Sequence, residues 1–245
     1  MSETTEDGFL GGRLRVRQFA RGFRSGLDTV ILAAAVPARS DDTVLELGSG
    51  AGVASLCLAA RVPDCTVAGV EIDADLVVLA NNSAAANGIS ERVRFVQGDV
   101  LNLPRELRAE FDHVLCNPPF HNPEGEASPN VRRALALQDS GKLQEWIRTA
   151  MKRTASNGTF TVIVRADRLT QVLDALPDDG VIVFPLWPKR DLPAKRVLIQ
   201  LRCGSGARFA LLPGLVLHES DGRYTREADA ILRGEAALEI GESRR

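Results

Sequence analysis

The 245-residue sequence has no apolar run long enough to cross a bilayer. Its longest, from Val30 to Val36, is far short of the roughly 20 residues a membrane helix needs. Residues 1–7 are polar and acidic, and no apolar segment follows a basic one there, so nothing reads as a secretory signal and a cytoplasmic location is expected. Cysteine is sparse: Cys57, Cys65, Cys116 and Cys203 lie far apart without a C-x-x-C pair, and three sit in apolar runs, as buried thiols do. His113, His121 and His218 share no metal-ligand spacing, so no metal is expected. A large charge of either sign is also missing, since the formal net charge is −2, and nothing overall advertises a nucleic-acid binder. What remains, 44% hydrophobic and 25% charged, is the balance of an ordinary soluble protein with a full core.

From Thr43 onward, short β-branched runs alternate with helix-like segments, which predicts a mostly parallel sheet with helices on both faces. Strands are expected over 43–47, 66–71, 93–97, 111–116 and 159–164, and helices over 52–61, 74–87 and 141–154. Asn87-Gly88 reads as a helix stop, and Ser156-Asn157-Gly158 as a turn into the fifth strand. Two further strands, 181–184 and 196–201, flank a loop carrying Pro185, Pro188 and Pro193. The expected fold is thus α/β, a seven-stranded sheet whose C-terminal strand is antiparallel. Residues 1–40 form an extension packed on the main unit, 41–203 the unit itself, and 204–245 an appendage of the same domain.

The strongest local signal is the strand Val44-Leu45-Glu46-Leu47 running into Gly48-Ser49-Gly50-Ala51-Gly52. Glycines here permit a tight turn and close approach of a nucleoside-bearing ligand at the crevice where α/β sheets bind ligands. A dinucleotide fingerprint would need glycine at Val53, so the third glycine comes one residue early. Alone, this turn leaves a methyltransferase, a dinucleotide enzyme and a structural turn open. Glu71, closing the second strand before Ile72, stands where a carboxylate can accept from both hydroxyls of a ribose. Asp99, in Gly98-Asp99-Val100, closes the third and suits an adenine amino group, although an acid there is also a common turn former.

Asn117-Pro118-Pro119-Phe120 follows the fourth strand. Two prolines fix the backbone and remove two donors, leaving carbonyls near Asn117 as outward acceptors. The Asn117 side-chain oxygen and the Pro118 carbonyl can then accept both hydrogens of a substrate NH₂ group, turning its lone pair toward an electrophile. Phe120 offers a face for a planar base or amide, a contact worth about 1–3 kcal/mol for a base.

Taken together, Glu46-x-Gly48-x-Gly50-x-Gly52, Glu71, Asp99 and Asn117-Pro118-Pro119-Phe120 resemble the amino-methyltransferase branch of the Rossmann-like class I S-adenosylmethionine methyltransferases. A closer similarity is to the bacterial tRNA adenine-N6 methyltransferases that modify the adenine beside the anticodon of a valine tRNA. Residues 22–28, 195–199, 224–228 and 231–233 carry it further, so that it spans roughly residues 7–235. The resemblance implies that Gly48, Gly50 and Glu71 hold the methionine and ribose parts of S-adenosylmethionine and Asp99 its adenine. Glu46, Ser49, Gly52, Ile72 and Val100 complete the implied cofactor set, and Asn117, which touches both partners, leads the group Asn117 to Phe120 on the target amine. Gly26 and Asp28 would lie beside the pocket, and Asp28 equally suits a helix N-terminus. Relatives associated with tRNA often carry tyrosine at Phe120, while Phe120-His121 also resembles ribosomal-RNA guanine-N2 methyltransferases.

The implied partner is RNA, with tRNA first. Positive charge would have to be local: Arg13, Arg15, Arg17, Arg21 and Arg24 form one acid-free run, and Lys189, Arg190, Lys195 and Arg196 a second group. Arg13, Arg15 and Arg17 would share a face if that stretch is a strand. Protein-glutamine N5-methylation, which presents the same NH₂, and a non-catalytic RNA- or nucleoside-binding module remain open beside these readings.

Overall fold

A computed structural model describes residues 3–22, 24–119 and 142–241 of the chain. A hairpin, β1 (Thr4–Phe9) with β2 (Leu14–Phe19), precedes α1 (Leu27–Ala35). Then follow β3 (Thr43–Leu47), α2 (Val53–Arg61), β4 (Thr66–Glu71), α3 (Ala74–Ala86), β5 (Val93–Gln97) and β6 (Phe111–Cys116). After the segment outside the described residues come α4 (Leu143–Arg153), β7 (Thr154–Arg165), α5 (Leu169–Leu173), β8 (Val181–Trp187) and β9 (Arg196–Arg202). Two short strands, β10 (Ala210–Leu211) and β11 (Leu215–Val216), and α6 (Arg226–Leu232) complete it.

The main sheet runs β5-β4-β3-β6-β7-β9-β8-β10, with β11 also on β8. β3 to β7 pair in parallel, while β9 lies antiparallel between β7 and β8. The sheet therefore has nine strands where seven were expected, because β10 and β11, of two residues each, add to the β8 edge. Two residues are too few to show alternation. Strand β7 begins at Thr154, earlier than expected: the Asn157-Gly158 turn is a kink inside it, where Asn157 has φ +69° and the pairing with β6 slips between Phe111 and His113.

Central strands are apolar on both sides because both sides are covered. Val44, Val67, Leu115, Ile163 and Leu198 pack with α1, α2, α6 and with Leu14 and Val16 of the hairpin. Leu45, Leu47, Val70, Val114, Val162 and Ile199 pack against Trp146 and Ile147 of α4 and Val172 of α5. The C-terminal segment packs on α1 and reaches the N-terminal hairpin: the Leu238 amide donates to the Ala34 carbonyl at 2.9 Å, and Arg13 donates to the carbonyl of Arg233.

Carboxamides complete the backbone edges left open. Asn81 of α3 accepts from the Phe95 amide at 3.1 Å and donates to its carbonyl at 2.9 Å, acting as a neighbour for edge strand β5. Asn87 does the same for Arg15 of β2, at 3.1 and 2.7 Å. Among the described residues no helix is long and apolar enough to cross a membrane.

Candidate cofactor and amine site

Parallel strands β3, β4, β5 and β6 end on one edge of the sheet, and the Gly48–Gly52 turn, Glu71, Asp99 and Asn117 stand there side by side. All three turn glycines have positive φ, +67° at Gly48, +55° at Gly50 and +81° at Gly52, but their surroundings differ. A Cβ on Gly48 would come within 2.5 Å of the Trp146 ring, and one on Gly52 within 2.5 Å of Phe95. Only at Gly50 would a Cβ meet nothing within 4 Å. Packing thus accounts for two of the glycines, and Gly50 alone is open to the crevice.

The Gly50 amide donates to Glu71 Oε2 at 2.8 Å, and the Asp73 amide to Oε1 at 3.0 Å. Burial raises the Glu71 carboxyl above its ordinary value, opposed by the amides of Asp73, Gly50 and Ile72. Ile72, next in the chain, is 51% exposed, unusual for a large apolar side chain at a strand end. Asp99 is exposed and accepts the Leu101 amide at 2.8 Å, while Val100 turns into the core.

Glu46 differs from the expectation of a direct ligand. It is 2% exposed, and its Oε2 accepts from the Ser55 amide at 3.0 Å and from the Ser55 hydroxyl. It therefore braces the first turn of α2, whose amides lack partners within the helix. Burial pushes its pKa up to about 8. Ser49 likewise turns inward, its amide donating to the Val70 carbonyl at 2.9 Å and its buried hydroxyl without a partner among the described residues.

Asn117 follows the last residue of β6, with Pro118 buried and Pro119 half-buried. Its Oδ1 is buried and has no hydrogen-bond partner among the described residues. A buried acceptor left open is costly, by about 1–3 kcal/mol, and so is rarely kept without use. Phe120 and His121 lie outside the described residues.

Gly26 is the N-cap of α1, and Asp28 sits in its first turn, where Arg196 Nε donates to its Oδ2 at 2.8 Å. Arg196 faces Arg165, the last residue of β7, so this pair lies on the same edge of the sheet. Cys57 and Cys116 are buried thiols whose pKa burial raises, and His113 bridges Thr159 and Asp42 at the opposite edge. Among the described residues no three His, Cys, Asp or Glu side chains cluster as metal ligands.

The arginine run is less available than its sequence suggests. Arg13 is turned to the carbonyls of Leu10 and Arg233, Arg15 pairs with Glu6 at 3.1 Å, and Arg24 donates to Asp7. Arg15 and Arg17 do share the exposed face of β2. In the second group, Lys189 donates to the Ser220 carbonyl and Arg196 pairs with Asp28. Trp146, whose ring closes on Gly48, was not legible beside the glycine turn because it lies in no motif.

The methyltransferase small domain family matches residues 24–175. The chain belongs to that family. This methyltransferase is 29% identical over 227 residues to the tRNA1(Val) (adenine(37)-N6)-methyltransferase of Porphyromonas gingivalis, covering 88% of this chain and 89% of the relative. It is 30% identical over 208 residues to the enzyme of the same name from Erwinia tasmaniensis, covering 82% of each. A solved structure described as a predicted O-methyltransferase from Agrobacterium tumefaciens superposes with a TM-score of 0.74 at 25% identity, over 88% of this methyltransferase and all of that chain.

Proposed function

We propose that this methyltransferase transfers a methyl group from S-adenosylmethionine to the N6 amine of an adenine in tRNA. The observation that carries the reading is Asn117 Oδ1, a buried acceptor with no partner among the described residues, beside two prolines at the end of β6. The relatives named as tRNA adenine-N6 enzymes support the substrate.

The crevice residues fit the cofactor. Gly50 is open where a Cβ would otherwise sit, Glu71 offers carboxylate lone pairs to ribose hydroxyls, and the exposed face of Ile72 suits a planar purine. Asp99 suits that purine's amino group. Gly26 and Asp28 flank the pocket from α1. When bound, S-adenosylmethionine supplies an electrophilic methyl on a sulfonium. Asn117 Oδ1 and the Pro118 carbonyl accept the two amine hydrogens, which draws the nitrogen out of conjugation and aims its lone pair. Methyl transfer to that nitrogen, with the donor's sulfur as leaving group, would leave it cationic, and its extra proton would pass to water. Rate enhancement comes from positioning and fixed dipoles, without a strong base. Phe120 is proposed to stack on the base. Two acceptors suit an amine better than a hydroxyl, since an alcohol has one hydrogen to offer.

RNA would be met by the exposed cations not engaged above, Arg17 and Arg21 of the hairpin side and Arg190 and Lys195 near the end of the sheet. A cytoplasmic location accompanies this substrate. The test is tritiated cofactor with separated tRNA, ribosomal RNA and protein, followed by nucleoside analysis. Label in N6-methyladenosine of tRNA is expected; label in N2-methylguanosine or in protein glutamine would replace the substrate assigned here.

A further inference from the structure

Strand β2 turns Leu14, Val16 and Gln18 inward, and Gln18 is as buried as the others, 3% exposed. A carboxamide stands where the alternation calls for an apolar side chain, and burial is tolerable only if its polar atoms are matched. They are. Gln18 Oε1 accepts from the Ser25 amide at 2.8 Å, and Nε2 donates to the Ser25 carbonyl at 3.3 Å and to Asp7 Oδ2 at 2.7 Å. Asp7 in turn accepts from Arg24 at 2.6 Å.

We infer that Gln18 is a positioning residue of the cofactor site, fastening residues 25–28 over the carboxyl edge of the sheet before cofactor arrives. The segment is held at both ends. Ser25 is gripped by Gln18 from the hairpin, and Asp28 by Arg196 from β9. Between them lies Gly26, exposed and unobstructed, where a Cβ would meet nothing within 4 Å. The edge beneath is the one that carries the Gly48–Gly52 turn and Asn117. A hairpin outside the main sheet is thereby coupled to the crevice through Gln18, with the Arg24–Asp7 pair beside it. Fixing the segment in advance removes an ordering cost from ligand binding. Leucine at position 18 would fill the space and make none of these bonds. The inference rests on reading the crevice as the S-adenosylmethionine site.

The probe is S-adenosylhomocysteine, titrated calorimetrically into the full chain carrying Gln18→Leu, Arg24→Met or Glu71→Ala. Releasing the backbone of one residue corresponds to about a tenfold change in affinity. Gln18→Leu is expected to weaken binding by about that factor and to speed hydrogen exchange at the amides of residues 24–28. It should raise the KM for cofactor while leaving kcat at saturation within about twofold, a split that general loss of stability does not give. Arg24→Met, a surface change that spares the core, should move affinity and exchange the same way by a smaller factor, and serves if Gln18→Leu does not fold. Unchanged affinity and exchange in the Gln18 variant, or in Arg24→Met if that variant alone folds, overturns the positioning role. Loss of binding in Glu71→Ala alongside would show that the cofactor reading survives. Wild-type binding in both Glu71→Ala and Gln18→Leu would remove the cofactor reading and the inference with it.

Discussion

The amide of Gly50 donates to Oε2 of Glu71 at 2.8 Å, so the crest of the glycine turn is tied to the end of the neighbouring strand. Glu71 therefore shapes the turn, and in the proposed cofactor site it would also receive the ribose. Glu71→Ala is expected to weaken S-adenosylmethionine binding by at least about 1.5–3 kcal/mol, the worth of hydrogen bonds to a charged group. Calorimetry giving wild-type affinity would remove Glu71 from the site.

Gly48→Ala and Gly50→Ala should fail differently. Both place alanine at positive φ, at a strain of about 1–2 kcal/mol. At Gly48 the added Cβ also meets Trp146 at 2.5 Å. Overpacking of that kind adds about 1–3 kcal/mol. Urea denaturation should show the Gly48 variant as the less stable, whereas the Gly50 variant should lose cofactor affinity out of proportion to stability. Equal stabilities would contradict the packing account.

Asn117→Ala should lower turnover about 10²-fold or more, the usual scale for a lost transition-state hydrogen bond. Cofactor affinity should hardly change. Because Oδ1 has no partner among the described residues, its removal should leave the melting temperature equal or higher. Retention of more than about a tenth of wild-type turnover would contradict its role on the amine.

Glu46 gives a pH dependence with a definite sign. Its folded pKa is raised from 4.5 to about 8, so across that window the folded protein keeps a proton that the unfolded chain has released. Stability from this group is greatest below the lower value and falls as pH rises through the window. Glu71, raised by the same cause, acts in the same direction. Glu46→Gln, which retains an acceptor for Ser55, should flatten the fall between pH 5.5 and 8. An unchanged slope in denaturation at those two pH values would mean the carboxyl is ionised in the fold.

Affinity for tRNA should fall steeply with salt. Replacing Arg17 and Arg21 together should reduce the log–log slope by about one to two units. Replacing Arg15 and Arg24, already paired with Glu6 and Asp7, should change it less. Filter binding over a salt series distinguishes these; a slope equal in both double variants would return the hairpin to a plain solvated face.

Strands β3, β4, β5 and β6 were legible to the residue because each is a short apolar run bounded by turn formers, continuous in β3, β4 and β6 and alternating in the edge strand β5. Asn117 stood out because two adjacent prolines leave a backbone that can serve few purposes other than display. Other parts depend on residues far away in the chain. Nothing near Gly48 says that Trp146 needs its missing Cβ. Nothing in Glu46 says that it turns down to Ser55 rather than up to the crevice. The arginine run reads as one basic patch until Glu6, Asp7 and Arg233 are brought beside it. Gln18 left a faint trace, a polar residue in step with Leu14 and Val16.

The position of β9 has a consequence for synthesis. Among the described residues β8 pairs only with β9, β10 and β11, all of which emerge from the ribosome after it. The nascent chain can lay down β3 to β7 in order, but β8 then has no place to dock until residues 196–202 slide between it and β7. Until then β7, the most extended strand, offers an open edge of the kind that pairs with other chains. The core face on α1 waits longer still, for Leu238 to reach the Ala34 carbonyl. The sheet that holds the crevice together therefore stays incomplete until residues 196–202 have been made.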